Sequence, residues 1–321
     1  MTGVAAHAPD AILLAGPTAS GKSDWALRLA EVLPVEIVSV DSAQVYRGFD
    51  IGSAKPAPEL RRALPHHLID IRDPEQAYSA GDFVEDALTA IESVRARGRL
   101  PLLVGGTMLY FRALVHGMAA LPRADAALRH EIDLRAARLG WPALHGELAR
   151  LDPVSAQRIH PNDAQRIQRA LEVVQGSGRP ISEWQLATLP AHALRLQRWA
   201  LVPADRAALA ARIARRFDQM ITAGFVAEVR GLQSRDTLSP QAPSLRAVGY
   251  RQLWEHAAGR EDLPGAIERA KAATRQLARR QLTWIRADQG WSCLDPFEPQ
   301  ACERWLGEVL ATLRRRGPQF G

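Results

Sequence analysis

Five apolar residues, Ala11-Ile12-Leu13-Leu14-Ala15, run without a break into Gly16-Pro17-Thr18-Ala19-Ser20-Gly21-Lys22-Ser23. The second stretch is the phosphate-loop pattern G-x-x-x-x-G-K-[ST], and residues 24–31 continue it as a helix. Strand, glycine-bounded loop and helix in that order constrain the fold strongly, because the loop works only when a buried strand delivers it and a helix carries it on. Loop N–H groups converge on a phosphate, and the helix adds the positive end of its dipole. Lys22 reaches the outer phosphate and Ser23 holds Mg²⁺. The pattern therefore predicts a site for a diphosphate or triphosphate, built on a parallel α/β sheet.

The chain carries 41 Lys plus Arg, yet lysine occurs only at Lys22, Lys55 and Lys271. Where arginine is the default cation, a lysine in the loop is a choice: a compact ammonium fits where a planar guanidinium does not. The 321 residues predict one large domain or a core with an insertion, and 47% hydrophobic content is ample for a packed interior. No apolar run is long enough to span a bilayer, and residues 1–10 read as a short flexible lead-in without the features of a secretion signal. Cys293 and Cys302 make no metal framework or disulfide scaffold, which suits a reducing cytoplasm. The net charge of +6 fits either solvated arginines or a polyanionic partner such as RNA.

The first third alternates strand-like and helical segments. Strands are predicted at 35–40, 67–71 and 100–104, with a helix over 81–97 that buries Phe83, Ala87, Leu88, Ile91 and Val94. Pro101 demands a place near a strand end. From residue 122 to 190 the pattern is helical, broken at Gly140, Pro142, Pro153, Pro161 and Gly176–Pro180, before a strand returns at 195–202. The expectation is a phosphate-loop NTPase-like parallel sheet core in residues 1–120, a helical insertion domain in 121–194, and a return to the core with C-terminal helices in 195–321. Those helices are expected at 206–223, 225–233, 246–258, 263–287 and 298–315.

Strand C-termini line the ligand crevice of such a sheet. Asp41 closes the second strand, where a carboxylate could hold Mg²⁺ or act as a base, or simply turn the chain. Gly105-Gly106-Thr107 closes the fourth. The glycines permit close approach to a ligand, and Thr107 either projects a hydroxyl into the crevice or caps the next helix. Residues 270–287 hold no acid, and Lys271, Arg275 and Arg279 share one helical face, with Leu277, Gln281 and Trp284 on another. A cationic stripe of that kind suits a phosphodiester backbone. A second polar helix, 162–171, buries Ile167, Ala170 and Leu171 and turns Gln165, Arg166 and Arg169 outward. His66-His67 reads as structural. These features fit an RNA-modifying enzyme, a small-metabolite kinase, or an RNA binder switched by a nucleotide.

The ordered set of motifs resembles the bacterial tRNA dimethylallyltransferases (tRNA isopentenyltransferases). The matching stretches are residues 16–23, Asp41–Gly48, Asp50–Pro56, Pro65–Asp70, Tyr78–Ala80, Leu103–Thr107, Asp163–Val173, Ala247–Gln252 and Ala273–Gln281, covering nearly the whole chain. Phe49 and Ser53 stand where relatives often carry Met and Thr. The resemblance implies transfer of a dimethylallyl group from its diphosphate to N6 of the adenine beside the anticodon, in tRNAs reading codons that begin with U. It implies a cytoplasmic, monomeric enzyme with no obligate protein partner and no membrane, using Mg²⁺. Although the motif is an ATP- and nucleotide-binding one, the resemblance implies that Gly16, Pro17, Thr18, Ala19, Ser20, Gly21, Lys22 and Ser23 hold the prenyl diphosphate. Asp41 is then the base, Thr107 positions the reactants, and Arg216 closes over the diphosphate. The insertion domain grips the tRNA anticodon stem-loop. Contacts to tRNA fall on Asp41, Ser42, Ala43, Gln44, Thr107, Arg129, Gln165, Arg166, Ile167, Gln168 and Arg169. They continue on Arg246, Ala247, Val248, Gly249, Tyr250, Arg251, Arg279, Arg280, Gln281, Leu282, Thr283, Trp284, Ile285 and Arg286.

Overall fold

A computed structural model describes residues 9–119, 121–122, 125–186 and 192–314; the lead-in before residue 9, Pro190 and Arg315 lie outside the described residues. In chain order the first elements are β1 (Ala11–Ala15), α1 (Lys22–Ala30), β2 (Val35–Val40), α2 (Pro58–Ala63), β3 (His66–His67), α3 (Ala80–Ala96), β4 (Leu100–Gly105) and α4 (Met108–His116). Then follow α5 (Ala126–Leu139), α6 (Trp141–Leu151), α7 (Pro153–Arg158), α8 (Ala164–Ser177) and α9 (Ile181–Leu186). The chain continues with β5 (Leu196–Leu201), α10 (Arg206–Thr222), α11 (Phe225–Gln233), α12 (Tyr250–Ala257), α13 (Leu263–Ala287), β6 (Ser292–Leu294) and α14 (Ala301–Arg314).

The strands form one parallel sheet in the order β3-β2-β4-β1-β5-β6. Every residue of β1 and β2 is buried, as expected when helices cover both faces of a parallel sheet. One core packs Ile12, Leu14, Trp25, Leu29 and Trp199 against Trp305 and Val309 of α14. Another gathers Val45, Tyr46, Phe49, Phe217, Phe225, Val229 and Tyr250. Burying each such side chain contributes roughly 1.5–3 kcal/mol. Residues up to Phe111 and from Ala193 onward make one compact unit, and Arg112–His192 a second. The second has its own core, with Ile132, Leu144, Leu148, Ile167, Leu171 and Val173 buried between α5, α6 and α8.

Local chemistry sets the helix starts. Ser79 and Asp82 form a reciprocal capping box on α3. Asp125, Asp152, Asp163, Asp205 and Asp262 cap α5, α7, α8, α10 and α13 with their carboxylates. Pro101 is the second residue of β4, opposite Glu36.

The sequence reading needs correction at five places. The strand expected at 67–71 ends at His67, because Leu68 (φ 62°) and Asp70 (φ 57°) turn left-handed. The helix expected from Arg246 is divided: a 3₁₀ turn, Pro243–Arg246, precedes Gly249 (φ 92°), and α12 starts at Tyr250. The last helix begins at Ala301 rather than residue 298, behind a left-handed Gln300. The short strand β6 and helix α2 carried too little periodicity to be foreseen.

Candidate active site

The register of the sheet brings three loops to one edge. Ala15 pairs with Gly105, and Gly105 with Val40, so residues 16–23, 41–44 and 106–107 leave side by side. Crowding there explains the glycines: a Cβ at Gly105 would lie 2.0 Å from the Val40 carbonyl oxygen, and one at Gly106 would lie 2.4 Å from Gln281 Nε2. Both therefore serve close approach within the protein, and both also line the cavity described below. In the phosphate loop, Ala19 (φ 63°) and Gly21 (φ 97°) are left-handed, and no side chain caps α1. Ala19 holds that conformation at a cost of about 1 kcal/mol or more, a strain concentrated at binding loops. The uncapped N–H groups of α1 are a ready-made anion site. Lys22 Nζ donates to the Pro17 carbonyl (2.7 Å), Arg212 Nε donates to the Ala19 carbonyl (3.0 Å), and Ser20 Oγ is buried without a partner.

These loops open on a cavity of about 1050 Å³. Its cations are Lys22, Arg212, Arg215, Arg216 and Arg280, against the carboxylates Asp24 and Asp41. Such an excess selects a polyanion. Burial, with Arg216 nearby, pulls the Lys22 ammonium down to about 7 although Asp41 pulls it back. Burial likewise lowers Arg216 below the ordinary arginine range, while Asp41 and Asp24 oppose the shift. Ile213, Phe217, Met220, Val248 and Leu277 add an apolar wall. Asp41 Oδ1 accepts from the Ala43 and Gln44 N–H groups (2.8 and 3.3 Å), so this carboxylate oxygen turns the chain at the end of β2. Thr107 Oγ1 accepts from the Ser42 N–H (3.1 Å), which ties the ends of β2 and β4 together.

A family model described as IPP transferase matches residues 44–288. The chain belongs to the IPP transferase family. It is similar to the tRNA dimethylallyltransferase of Bordetella petrii, 57% identical over 94% of this chain and 97% of that one. The tRNA dimethylallyltransferase of Ralstonia pickettii is 53% identical, with 98% of each chain covered. Among solved structures, the tRNA isopentenylpyrophosphate transferase of Bacillus halodurans matches with a TM-score of 0.69 at 36% identity, covering 95% of this chain and 97% of that one. A eukaryotic dimethylallyltransferase described as acting on tRNA matches with a TM-score of 0.76 at 26% identity, covering 96% of this chain and 80% of that one.

As an IPP transferase family member, the chain gathers Gly16–Ser23, Asp41–Gln44, Thr107, Arg216, Ala247, Val248, Arg280, Gln281 and Trp284 at or beside this one cavity. Arg246, Arg251, Arg279, Thr283 and Arg286 are exposed, and Gly249 forms the turn before α12. Burial removes several side chains from the contact surface expected for RNA. Ile167 and Tyr250 are 0% exposed, Leu282 4% and Ile285 1%, each packed into a core. Buried Gln281 crosses between loops: its Oε1 accepts from the Thr18 N–H (3.0 Å) and its Nε2 donates to the Gly106 carbonyl (2.8 Å). Lys271 leaves the cationic stripe, because Asp218 (2.7 Å) and Glu268 (3.2 Å) pair with it. In the helical unit, Gln165 and Arg166 are exposed and Gln168 donates to Asp133 (2.7 Å). Arg129 (3.1 Å) and Arg169 (2.9 Å) both pair with the buried Glu172 carboxylate. His66 and His67 bond to the Leu64 carbonyl and to Glu36, and no metal-binding cluster of three or more acidic, His or Cys side chains occurs among the described residues. No helix among the described residues is long and apolar enough to cross a membrane. Sequence reasoning missed Arg212, Arg215 and Thr274 in the cavity wall, since helix periodicity does not say which turn meets a distant loop.

Proposed function

We propose that the chain transfers a dimethylallyl group from dimethylallyl diphosphate to N6 of the adenine 3′-adjacent to the anticodon, in tRNAs reading codons that begin with U. The observation that carries this reading is the meeting, in one cavity, of an uncapped phosphate loop, a cationic cluster, an apolar wall and the Asp41 carboxylate. The diphosphate lies on the N–H groups of residues 19–23, with Lys22 and Arg216 against its charge. The apolar wall takes the isoprenoid tail.

In the chemical step the adenine N6 attacks C1 of the dimethylallyl group, the C1–O bond breaks, and its electron pair leaves with the diphosphate. Asp41 takes the proton released from N6. Loop N–H groups, Lys22 and Arg216 stabilise the charge that develops on the leaving oxygen, a preorganised electrostatic role. Thr107, fixed to Ser42, holds the acceptor side of the cavity in register. The donor set fits Mg²⁺: the Ser23 hydroxyl with Asp24 offers hard oxygens on the cavity wall, and Mg²⁺ usually takes one or two carboxylates plus waters and phosphate oxygens. When bound, it supplies further charge neutralisation for the diphosphate. The adenine must leave its stack to reach this depth, as base-modifying enzymes require. Gln165, Arg166, Arg246, Arg251, Arg279, Thr283 and Arg286 supply the tRNA contacts.

Incubating the protein with tRNA and either dimethylallyl diphosphate or ATP, then reading products by mass spectrometry, tests the proposal. The expected product is one adenine of tRNA heavier by a prenyl group, formed only with the prenyl donor. Phosphate transfer from ATP to a small acceptor, with unmodified RNA, would sink it.

A further inference from the structure

Glu228 belongs to no motif, yet its carboxylate joins three segments of the core unit. Oε2 accepts from the N–H groups of Asp50 (3.1 Å) and Ile51 (2.6 Å), and Oε1 from the Gly52 N–H (3.1 Å) and the Tyr250 hydroxyl (2.6 Å). Four donors fill the acceptor sites of an ionised carboxylate. Three of them belong to residues 50–55, the strap that follows the Asp41 turn. The next two carbonyls of the strap, Ser53 and Ala54, accept from Gln44 Nε2 (3.2 and 3.3 Å). Gln44 Oε1 in turn accepts from the Ser39 hydroxyl (2.8 Å), and the Gln44 N–H donates to Asp41 Oδ1 (3.3 Å). A continuous hydrogen-bonded path thus leads from Glu228 to Asp41.

The strap has no slack. A Cβ at Gly52 would lie 2.1 Å from the Phe225 ring and 2.7 Å from the Tyr250 ring, so the backbone is pressed onto an aromatic knot. Phe49 stacks on Tyr250, with centroids 4.1 Å apart. Lys55 holds the far end, donating to the Tyr46 carbonyl (2.9 Å) and to Asp50 Oδ1 (2.6 Å). Gly52, Ser53 and Ala54 line the cavity on one side, and Ala247 and Val248, just before Tyr250, on another. Glu228 is therefore bonded to the strap that lines the cavity and to Tyr250, which follows the lining residues Ala247 and Val248.

We propose that Glu228 is a positioning residue for prenyl transfer, acting through the strap and Gln44 on the Asp41 carboxylate; this rests on the function proposed above. Glu228→Gln is the same size but replaces one acceptor by an NH₂ facing backbone N–H donors, so part of the strap must let go. Displacing a reacting group by an ångström costs about 100-fold in rate.

The test measures prenyl transfer for wild type, E228Q, Q44A and the double variant, each well below its own thermal midpoint. E228Q should lower kcat by about 10- to 100-fold while the tRNA dissociation constant and its salt slope stay within about twofold. The double variant should be no slower than the slower single variant, since both act along one path. An E228Q kcat equal to wild type, or losses that multiply in the double variant, would overturn the proposal. Amide hydrogen exchange reads the same link without catalysis: E228Q should speed exchange at Asp50–Gly52 and at Gln44 together, and unchanged rates at Gln44 would break the path. An inactive wild type would instead refute the proposed function, leaving the exchange result to judge the link. Should E228Q not fold, Y250F removes a single donor and should give a smaller loss of kcat, about two- to fivefold; a wild-type value would overturn the proposal.

Discussion

Replacing Gln281 by alanine distinguishes a structural crosslink from an RNA contact. Its side chain satisfies the Thr18 N–H and the Gly106 carbonyl on two different loops, and it is 8% exposed. In Q281A both groups lose their partner in a confined space. Each orphaned buried group costs about 1–3 kcal/mol, and partial access of water from the adjoining cavity favours the lower half of that range, giving about 2–4 kcal/mol in total. For a unit of this size that corresponds to a fall of about 4–16 °C in the melting midpoint. The phosphate loop loses its tie to β4, so affinity for inorganic pyrophosphate should fall as well. Scanning calorimetry and pyrophosphate titration read these two effects, and tRNA binding at several salt concentrations reads a third. The salt slope should not move, because a neutral, buried amide releases no counterions. A variant with the wild-type melting midpoint and weakened tRNA binding would refute the argument. Gln281→Glu sharpens it: the acceptor for Thr18 remains, but two oxygens now face each other at Gly106, so Q281E should be destabilised at neutral pH.

Three further outcomes follow from the same geometry. Arg279→Ala should reduce the salt slope of tRNA binding by about one phosphate contact, whereas Lys271→Ala should leave the slope alone and lower stability, because Lys271 is committed to Asp218 and Glu268. Asp41→Asn keeps an oxygen for the Ala43 and Gln44 N–H groups, so it should preserve tRNA affinity and lower kcat by about 10²–10⁴-fold; equal losses in binding and turnover would remove Asp41 as the base. Burial holds Lys22 near 7, so its ammonium is lost as pH rises through that value, and pyrophosphate affinity should weaken from about pH 6 to about pH 8. Ionisation of the ligand pushes the other way, so a weakening belongs to the protein, and K22M should abolish it; titration calorimetry decides.

Much of this molecule was legible in the chain because it rests on neighbours in sequence. The Ala11–Ser23 segment declared its strand, loop and helix, since apolar run, glycine spacing and Lys-Ser order are all local. The helices of 263–287 and 225–233 were readable from periodicity, and the parallel sheet from alternation. Asp41 and Thr107 could be picked out because a strand end is recognisable in one dimension. What no local pattern carries is which distant backbone group a polar side chain meets. Gln281 and Lys271 both read as candidate RNA-facing residues on a basic helix, but packing turns one into a crosslink 263 positions away and pairs the other with Asp218. Glu228 drew no notice because its partners, the N–H groups of residues 50–52, exist as a cluster only after the chain has folded. The sequence by itself determined the phosphate loop and the sheet that delivers it, through short-range patterning of apolar and glycine residues. Tertiary structure alone decided which charges are spent inside the protein and which face the cavity, because desolvation and hydrogen-bond satisfaction depend on neighbours brought together across the whole chain.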